Sequence, residues 1–572
     1  MVDVRELAIK WALKNAVDHG GRAELGPVIA KMVAESPEVK ARIKELRPVI
    51  QEAVEQVNAM SLEEQVRRLE EIAPELLRRE ARKEEKKLPP LPNAVKGKVV
   101  TRLPPEPSGY MHLGHAMSGL LNYLYARMYE GGLWLRFEDT NPRKAGLEYY
   151  ENFRRGYRWL GIEWDYEKNN SDDMKLYYEY AEKLIKEGHL YVCTCTPEEM
   201  SRQRREMREC LHRRHTTDEN MELWSRMQDG GFKEGEAVVR LAGDMRSKNT
   251  AMRDPVMFRI VEHPHPIVGD RYRVWPTYDF AASIQDSLCG VTHVLRSSEF
   301  AFRDELQNYI RRLLGMRNPT IIEYSRFEFK GTPTSKRVIR ELIEEGVVEG
   351  WDDPRLTTID AIRRRGILPE AIKEFTITQT GFSYAKRVYD WSLIASINRK
   401  ILDPVARRMF FVPEPVKLTV EGLGYSEVTL PYHPSRDMGV RVLKVDNWVY
   451  VPRNDLTKIG VGNMLRLKQL ANVKLTTLED DTAVGEFMGK EPVEGVPIIQ
   501  WVGLESADVV VYKPGELIAD DGSVNRDSMG ILRGVAERSV ETVRYDEVVQ
   551  FERFGFCRRD SGEELKFIYA HD

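Results

Sequence analysis

Two histidines three residues apart, His112 and His115, close the segment Pro104-Pro105-Glu106-Pro107-Ser108-Gly109-Tyr110-Met111-His112-Leu113-Gly114-His115. At the start of a helix such a pair shares one face, where imidazole donors join the unpaired N–H groups of the first turn in holding an anion. Gly114 has no Cβ, so a flat nucleobase can lie against the backbone there. An H-x-x-H pair alone fits a plain surface pair equally well; the proline-rich, glycine-bearing turn around this one favours phosphate chemistry. It is not a P-loop, because the Lys and Ser/Thr are missing, and Gly460-Val461-Gly462 lacks the third glycine of G-x-G-x-x-G.

A second group, Cys193-Thr194-Cys195 followed by Cys210-Leu211-His212, is a C-x-C…C-x-H set offering four ligands to a tetrahedral zinc ion; reduced thiols beside an unrelated histidine are the alternative. His263 and His265, in a proline-rich loop, are expected to face solvent. Arg202, Arg204, Arg205, Arg208, Arg213 and Arg214, interleaved with Glu206 and Glu209, fit either a solvated helix or contacts to backbone phosphates. The run from Arg78 to Lys87 reads as a solvated helical face, with RNA or protein contact as the sharper alternative.

The elements that carry these residues follow from the hydrophobic pattern. Residues 1–88 show helical apolar spacing (Leu7, Trp11; Val49, Ile50, Val54, Val57), and Ser61 with Glu64 makes a capping box. Pro89, Pro90 and Pro92 stop any helix, which makes 89–98 a linker. Val99–Leu103 reads as a strand, Ala116–Tyr129 as a helix closed by Gly131 and Gly132, and Leu133–Phe137 as a second strand. Strand, loop, helix and strand in this order form a βαβ unit, hence a parallel sheet with its ligand at the carboxyl ends of the strands. Residues 138–336 continue in α/β style and 341–404 read as helices. From about 408, short β-rich runs (Met409–Val412, Val440–Val445, Trp448–Val451, Val509–Tyr512) alternate with Gly, Pro, Asn and Asp, the pattern of antiparallel barrels.

Composition sets the frame. A chain of 572 residues with 42% hydrophobic and 31% charged residues is a multidomain globular protein, which excludes collagen, coiled coil and disordered tail. The formal net charge of −4 means that a polyanion must be met by local basic patches. No stretch suffices to span a bilayer, the amino terminus reads as an amphipathic helix rather than a signal peptide, and five cysteines suit a reducing compartment, so a cytoplasmic, non-membrane protein is expected.

The histidine segment resembles the HIGH signature of class I aminoacyl-tRNA synthetases, and P-E-P-S-G-Y-M-H-L-G-H-A is similar to the glutamyl/glutaminyl branch. The second signature of the family is matched by Thr334-Ser335-Lys336-Arg337, where Ser335 and Lys336 agree with K-M-S-K-S while Pro333, Thr334 and Arg337 depart. The resemblance implies that an amino-acid carboxylate attacks the α-phosphate of ATP, releasing pyrophosphate, and that the acyl group then passes to a tRNA terminal ribose hydroxyl. His112, His115, Ser335, Lys336 and Mg²⁺ would stabilise the transferred charge. Pro107, Ser108, Gly109, Gly114, Ser297, Arg326 and Phe327 fall at the family's ATP contacts. Glu138 falls at its ammonium acceptor, with Arg136 and Asp139 in support, and Tyr278 and Arg102 fall at side-chain contacts.

Glutamate is favoured over glutamine because a buried γ-carboxylate needs a fixed cation. Arg296 stands where glutaminyl relatives carry a small neutral residue, and Ile321 where they tend to be polar; a glutaminyl enzyme is the alternative. Some glutamyl enzymes have zinc ligands in the order seen here, with a longer gap. The β-rich tail resembles the barrels of glutaminyl and archaeal or eukaryotic-type glutamyl enzymes, through P-Y-H-P-S-R-D-M-G at 431–439 and Phe551 to Phe556.

The implied fold is α/β: a class I Rossmann-type parallel sheet (99–187 and 273–340) with an inserted acceptor-stem-binding domain (188–272), a helical connecting domain (341–407), anticodon-binding β-barrels (408–572) and an N-terminal helical domain (1–88). The implied partners of this expected monomer are L-glutamate and tRNA(Glu), with tRNA(Gln) as a second candidate. The N-terminal helices are a candidate protein-docking element. A small nucleotidylyltransferase would not need the β-rich tail, and a non-catalytic RNA-binding paralogue would have no use for both histidines and Lys336.

Overall fold

The computed structural model describes residues 4–18, 21–36, 39, 42–73, 76, 88–333, 336–379, 387–562 and 564–572. The chain divides into two units, 1–87 and 88–572. In the first, the helices Val4–Asp18, Leu25–Glu35, Ile43–Asn58 and Leu62–Ile72 enclose a core that includes Leu13, Val28, Met32, Ile50, Val54 and Val57. The last helix starts where the capping box predicts it: Ser61 N donates to Glu64 Oε2 at 3.1 Å while Glu64 N donates to Ser61 Oγ at 3.3 Å. The Arg78–Lys87 run lies outside the described residues.

The second unit is built on parallel strands. Val100–Leu103, Gly132–Phe137 and Tyr166–Asn169 form one three-stranded sheet, and His293–Ser297 pairs with Thr320–Tyr324. The two pieces meet where Thr292 N donates to Val100 O at 2.9 Å. All five strands therefore present their carboxyl ends to one side, where loops converge. The intervening helix spans Leu113–Met128, three residues longer at its start than the sequence pattern suggests, because His112 caps it. Between the two pieces, Leu190–Cys193, Val238–Leu241, Val256–Ile260 and Val274–Pro276 make a separate four-stranded antiparallel sheet over a core containing Trp224, Phe258 and Trp275.

The proline-rich stretch read as a linker is held against the sheet: Tyr125 Oη donates to Pro89 O at 2.8 Å, Tyr129 Oη accepts from Leu91 N at 2.9 Å, and Leu91 is buried. In 341–404 the expected helices occur, but Arg387–Tyr389 is a strand that pairs in parallel with Phe327–Phe329.

Two large sheets, mostly antiparallel, and a two-stranded one, Ser426–Pro431 with Val440–Val445, follow. In the six-stranded one, a bridge between Tyr450 and Val502 brings the far edges together. In the seven-stranded one, the edge strands are Arg408–Met409 and Phe411–Pro413, consecutive in sequence, so the sheet nearly closes on itself around Phe410. The hairpin between Ser506–Pro514 and Met529–Glu537 reaches back to the parallel-sheet region. Leu517 N and Ile518 N both donate to Gly331 O at 3.0 Å, and buried Leu517 packs with Ile339 and Leu342 of the helix Lys336–Glu344.

Candidate functional site

At the carboxyl ends of the parallel strands lies a cavity of about 630 Å³ bordered by Arg102, His112, Gly114, His115, Glu138, Tyr278, Arg296, Ser297, Arg326, Phe327 and Lys336. The geometry of the histidine pair fixes its proton positions. His112 Nδ1 accepts from Gly114 N at 3.1 Å, and His115 Nδ1 accepts from His112 N at 3.3 Å. With both Nδ1 atoms accepting, the ring protons sit on Nε2, where they can be donated to a ligand. The rings stack at 3.8 Å. Burial, reinforced by the positive charge of Lys336, lowers the His112 pKa to about 3, and burial beside His112 takes His115 well below its ordinary value. Both are neutral donors at neutral pH.

The glycines have roles the sequence did not disclose. A Cβ on Gly114, which borders the cavity, would lie 3.0 Å from His112 Cε1, so its absence also makes room for the capping imidazole. A Cβ on Gly109 would lie 2.8 Å from Lys336 Cδ. Lys336 Nζ donates to Ser108 Oγ at 3.0 Å, and Ser108 Oγ donates to Glu106 Oε2 at 2.8 Å. Burial pulls the Lys336 pKa down, partly opposed by Glu106. Ser108 and Gly109 thus shape the seat of the lysine, while Pro107 O accepts from Gly146 N at 3.0 Å. Ser335 lies outside the described residues. Arg326, about half exposed, pairs with Glu299 at 3.4 Å. The Ser297 hydroxyl is buried without a partner among the described residues, as a ligand-facing group would be.

The other half of the cavity is a set of buried ions. Arg136 joins Glu138 Oε1 (2.6 Å) to Asp286 Oδ1 (2.8 Å), and Glu138 Oε2 accepts from Asn170 Nδ2 at 2.5 Å. Burial raises the Glu138 pKa, opposed by Arg136. Arg102 donates through Nη1 to Leu295 O at 3.1 Å and pairs through Nε with Asp286 at 3.4 Å. Arg296 donates to Gln307 Oε1 at 2.9 Å and pairs with Asp304; burial lowers its pKa. Tyr278 opens the helix Tyr278–Leu288, with Arg303 over its ring at 5.5 Å. Asp139 accepts from Tyr150 Oη (2.8 Å), Ser171 N (2.8 Å) and Ser171 Oγ (2.7 Å), so it braces the loop instead of facing the cavity.

The sequence did not single out Asn170, Asp286 or Asp304. For Asp286 a signal existed: Asp279 and Asp286, seven apart, share one face of an otherwise largely apolar helix.

Cys193, Cys195, Cys210 and His212 come together with their ligand atoms within 4.8 Å of one another. Sulfur pairs lie at 3.5 and 3.7 Å, and Cys210 Sγ is 3.2 Å from His212 Nδ1. Tetrahedral zinc with bonds of about 2.3 Å sets ligand edges of roughly 3.7 Å, so the four atoms fit this ion. Thr194 Oγ1, 3.1 Å from His212 Nε2, orients the ring from behind. His265, expected in solvent, is buried: its Nε2 bonds Asp139 O at 2.9 Å and its ring stacks on Trp275, because the loop folds back over the sheet edge. His263 is exposed. Of the arginine-rich segment, Arg204 binds Thr250 O, Arg208 pairs with Glu206 and Arg213 with Asp254, leaving Arg202, Arg205 and Arg214 exposed with no such partner among the described residues.

Three family descriptions match in order: tRNA synthetases class I (E and Q), catalytic domain, over residues 98–404, and the anti-codon binding domain of the same group over 406–489 and 498–560. The chain is similar to proteins named glutamate--tRNA ligase from Cenarchaeum symbiosum (42% identical, all of both chains), Nitrosopumilus maritimus (42%, 98% of both) and Pyrococcus horikoshii (42%, all of both).

Proposed function

The chain belongs to the class I tRNA synthetases of the E and Q group, and from that premise we propose that it activates L-glutamate with ATP and transfers the glutamyl group to the 3′ end of tRNA(Glu). The observation that carries this reading is one cavity bordered on one side by two neutral imidazoles and a lysine, and on the other by buried arginines and a glutamate.

In the first step the α-carboxylate of glutamate attacks the α-phosphate and pyrophosphate leaves. Negative charge grows on the phosphate oxygens, so donors already aimed at that place lower the barrier without reorganising. His112 and His115 supply Nε2–H donors, and Lys336 supplies the positive charge. Mg²⁺ enters with the triphosphate as part of the substrate. Ser297, Arg326 and Phe327 bear on the nucleotide. Ser108 and Gly109 act indirectly, by seating Lys336; Gly114 borders the nucleotide and leaves room for His112; Pro107 and Ser335 keep the roles their motifs imply. Glu138, held by Arg136 and Asn170, receives the ammonium group; Arg102, Tyr278 and Arg296 receive the acidic groups. In the second step a ribose hydroxyl of the tRNA attacks the activated carbonyl, and no protein nucleophile is required.

A zinc ion held by Cys193, Cys195, Cys210 and His212 would cross-link the segment that carries Arg202, Arg205 and Arg214, and these three exposed arginines would meet acceptor-stem phosphates. Metal analysis of purified protein is expected to give about one equivalent; under about a tenth would remove the site. A cytoplasmic location accords with the absence, among the described residues, of any helix long and apolar enough to cross a membrane.

The decisive experiment is amino-acid-dependent pyrophosphate exchange with glutamate and with glutamine, each with and without tRNA. Exchange supported by glutamate is expected; a preference for glutamine would overturn the assignment.

A further inference from the structure

One fully buried carboxylate takes no part in the steps above. Asp286, 2% exposed, sits on the helix Tyr278–Leu288 and receives guanidinium groups from three other elements. Its Oδ1 meets Arg102 Nε at 3.4 Å and Arg136 Nη1 at 2.8 Å, and its Oδ2 meets Arg311 Nη2 at 2.9 Å. Arg102 comes from the strand Val100–Leu103, Arg136 from its neighbour Gly132–Phe137, and Arg311 from the helix Asp304–Leu313. Buried guanidinium groups persist only where a counter-charge offsets their desolvation, and this carboxylate is shared by all three.

The three arms end in different places. Arg102 borders the cavity, and Leu295 O takes its Nη1. Arg136 stays behind the wall and hands its Nη2 to Glu138 Oε1 at 2.6 Å. Arg311 turns away, to Ser283 O at 3.0 Å and Asn308 Oδ1 at 3.1 Å. One carboxylate thereby holds, directly, the guanidinium offered to an acidic group and, through one intermediary, the carboxylate offered to an ammonium group. A zwitterionic guest needs both at a fixed separation, and a shift of about 1 Å in such a pair can cost on the order of 100-fold.

We infer that Asp286 is a positioning residue for amino-acid binding, registering Arg102 against Glu138 without touching the substrate. The inference rests on the reading of this cavity as a glutamate site. Asp286→Asn keeps the shape and removes the charge. In pyrophosphate exchange its KM for glutamate is expected to rise about 10- to 100-fold, while its KM for ATP stays within about twofold, because the histidine and lysine loops do not lean on Asp286.

Arg311→Gln serves as the structural control. It removes the arm that faces away, so the melting temperature should fall while KM for glutamate stays near wild type. Should Asp286→Asn fail to fold, Arg136→Lys decides: a single ammonium cannot bridge Glu138 and Asp286 as a planar fork does, and the same split between the two KM values is expected. Equal rises in both KM values, or an unchanged KM for glutamate in the variant that folds, would overturn the role of Asp286. Wild-type protein that supports no glutamate-dependent exchange would overturn the glutamate reading itself, and the inference with it.

Discussion

The two halves of the cavity are built on opposite electrostatic plans. On the phosphate side, two stacked imidazoles from one helix start are neutral, with their Nδ1 atoms spent on backbone N–H groups within three residues. On the amino-acid side, Arg102, Arg136, Glu138, Arg296 and Asp286 are buried ion-pairing groups drawn from three strands, the end of one of them and one helix. Neutral donors need no counter-ion and can be arranged by local sequence. Buried charges must be paired, and their partners come from wherever the fold brings them. The phosphate half borrows its full charge from Lys336, which reaches over from the start of the helix Lys336–Glu344 to Ser108.

Variants that separate the halves test this contrast. The largest effect is expected for Lys336→Ala: glutamate-dependent pyrophosphate exchange should fall by about 10² to 10³, the scale for removing one transition-state charge partner, with KM for glutamate little changed. Near-normal exchange would refute the role. Next, Arg296→Ser should lower kcat/KM for glutamate about 100-fold while hardly affecting KM for ATP, since an acidic side chain would lose a buried counter-charge; side-by-side kinetics with glutamine would show discrimination collapsing. If both substrates weakened equally, Arg296 would be structural.

A smaller change, about tenfold in exchange rate, is expected for Gly109→Ala, whose Cβ would occupy space now taken by Lys336 Cδ at 2.8 Å. Because the obstructing atoms belong to a flexible side chain, the melting temperature should hold. A loss of stability without a loss of rate would contradict the seat proposed for the lysine.

The smallest effect is on stability against pH. In the unfolded chain the two imidazoles take up protons near 6.5, whereas folded His112 resists until about 3 and His115 lies well below its ordinary value. Between those limits the unfolded state binds more protons, so stability is lost as pH falls from about 6.5 towards 3. Asp139, raised to about 6 by burial, has the opposite sign, so the comparison must be made against a variant. The wild type should lose more melting temperature than His115→Gln between pH 7 and 5; parallel curves would mean that the imidazoles are not buried neutral.

Much of this organisation was legible in the chain. The His112–His115 loop, the βαβ unit around it, the Ser61–Glu64 cap and the β-rich tail all depend on spacing within a few residues, and all occur. What spacing did not reveal came from distant segments. The 89–98 stretch is docked by Tyr125 and Tyr129, and Arg387–Tyr389 is a strand because Phe327–Phe329 offers an edge. His265 is buried because Asp139 and Trp275 receive it. Gly109 and Gly114 each clear space for a side chain of the protein itself, Lys336 and His112, which spacing alone does not reveal.

By itself the amino-acid sequence determined which groups could hold phosphate, which could bind zinc, and which lengths of chain form strand or helix, because capping, periodicity and ligand spacing act over one or two turns. Only the tertiary structure decided that Lys336 rests on Ser108, that four zinc-type ligands converge, and that Asp286 joins three arginines from three elements. The reason is that water must be excluded before a charge needs a partner, and no stretch of chain can bury itself.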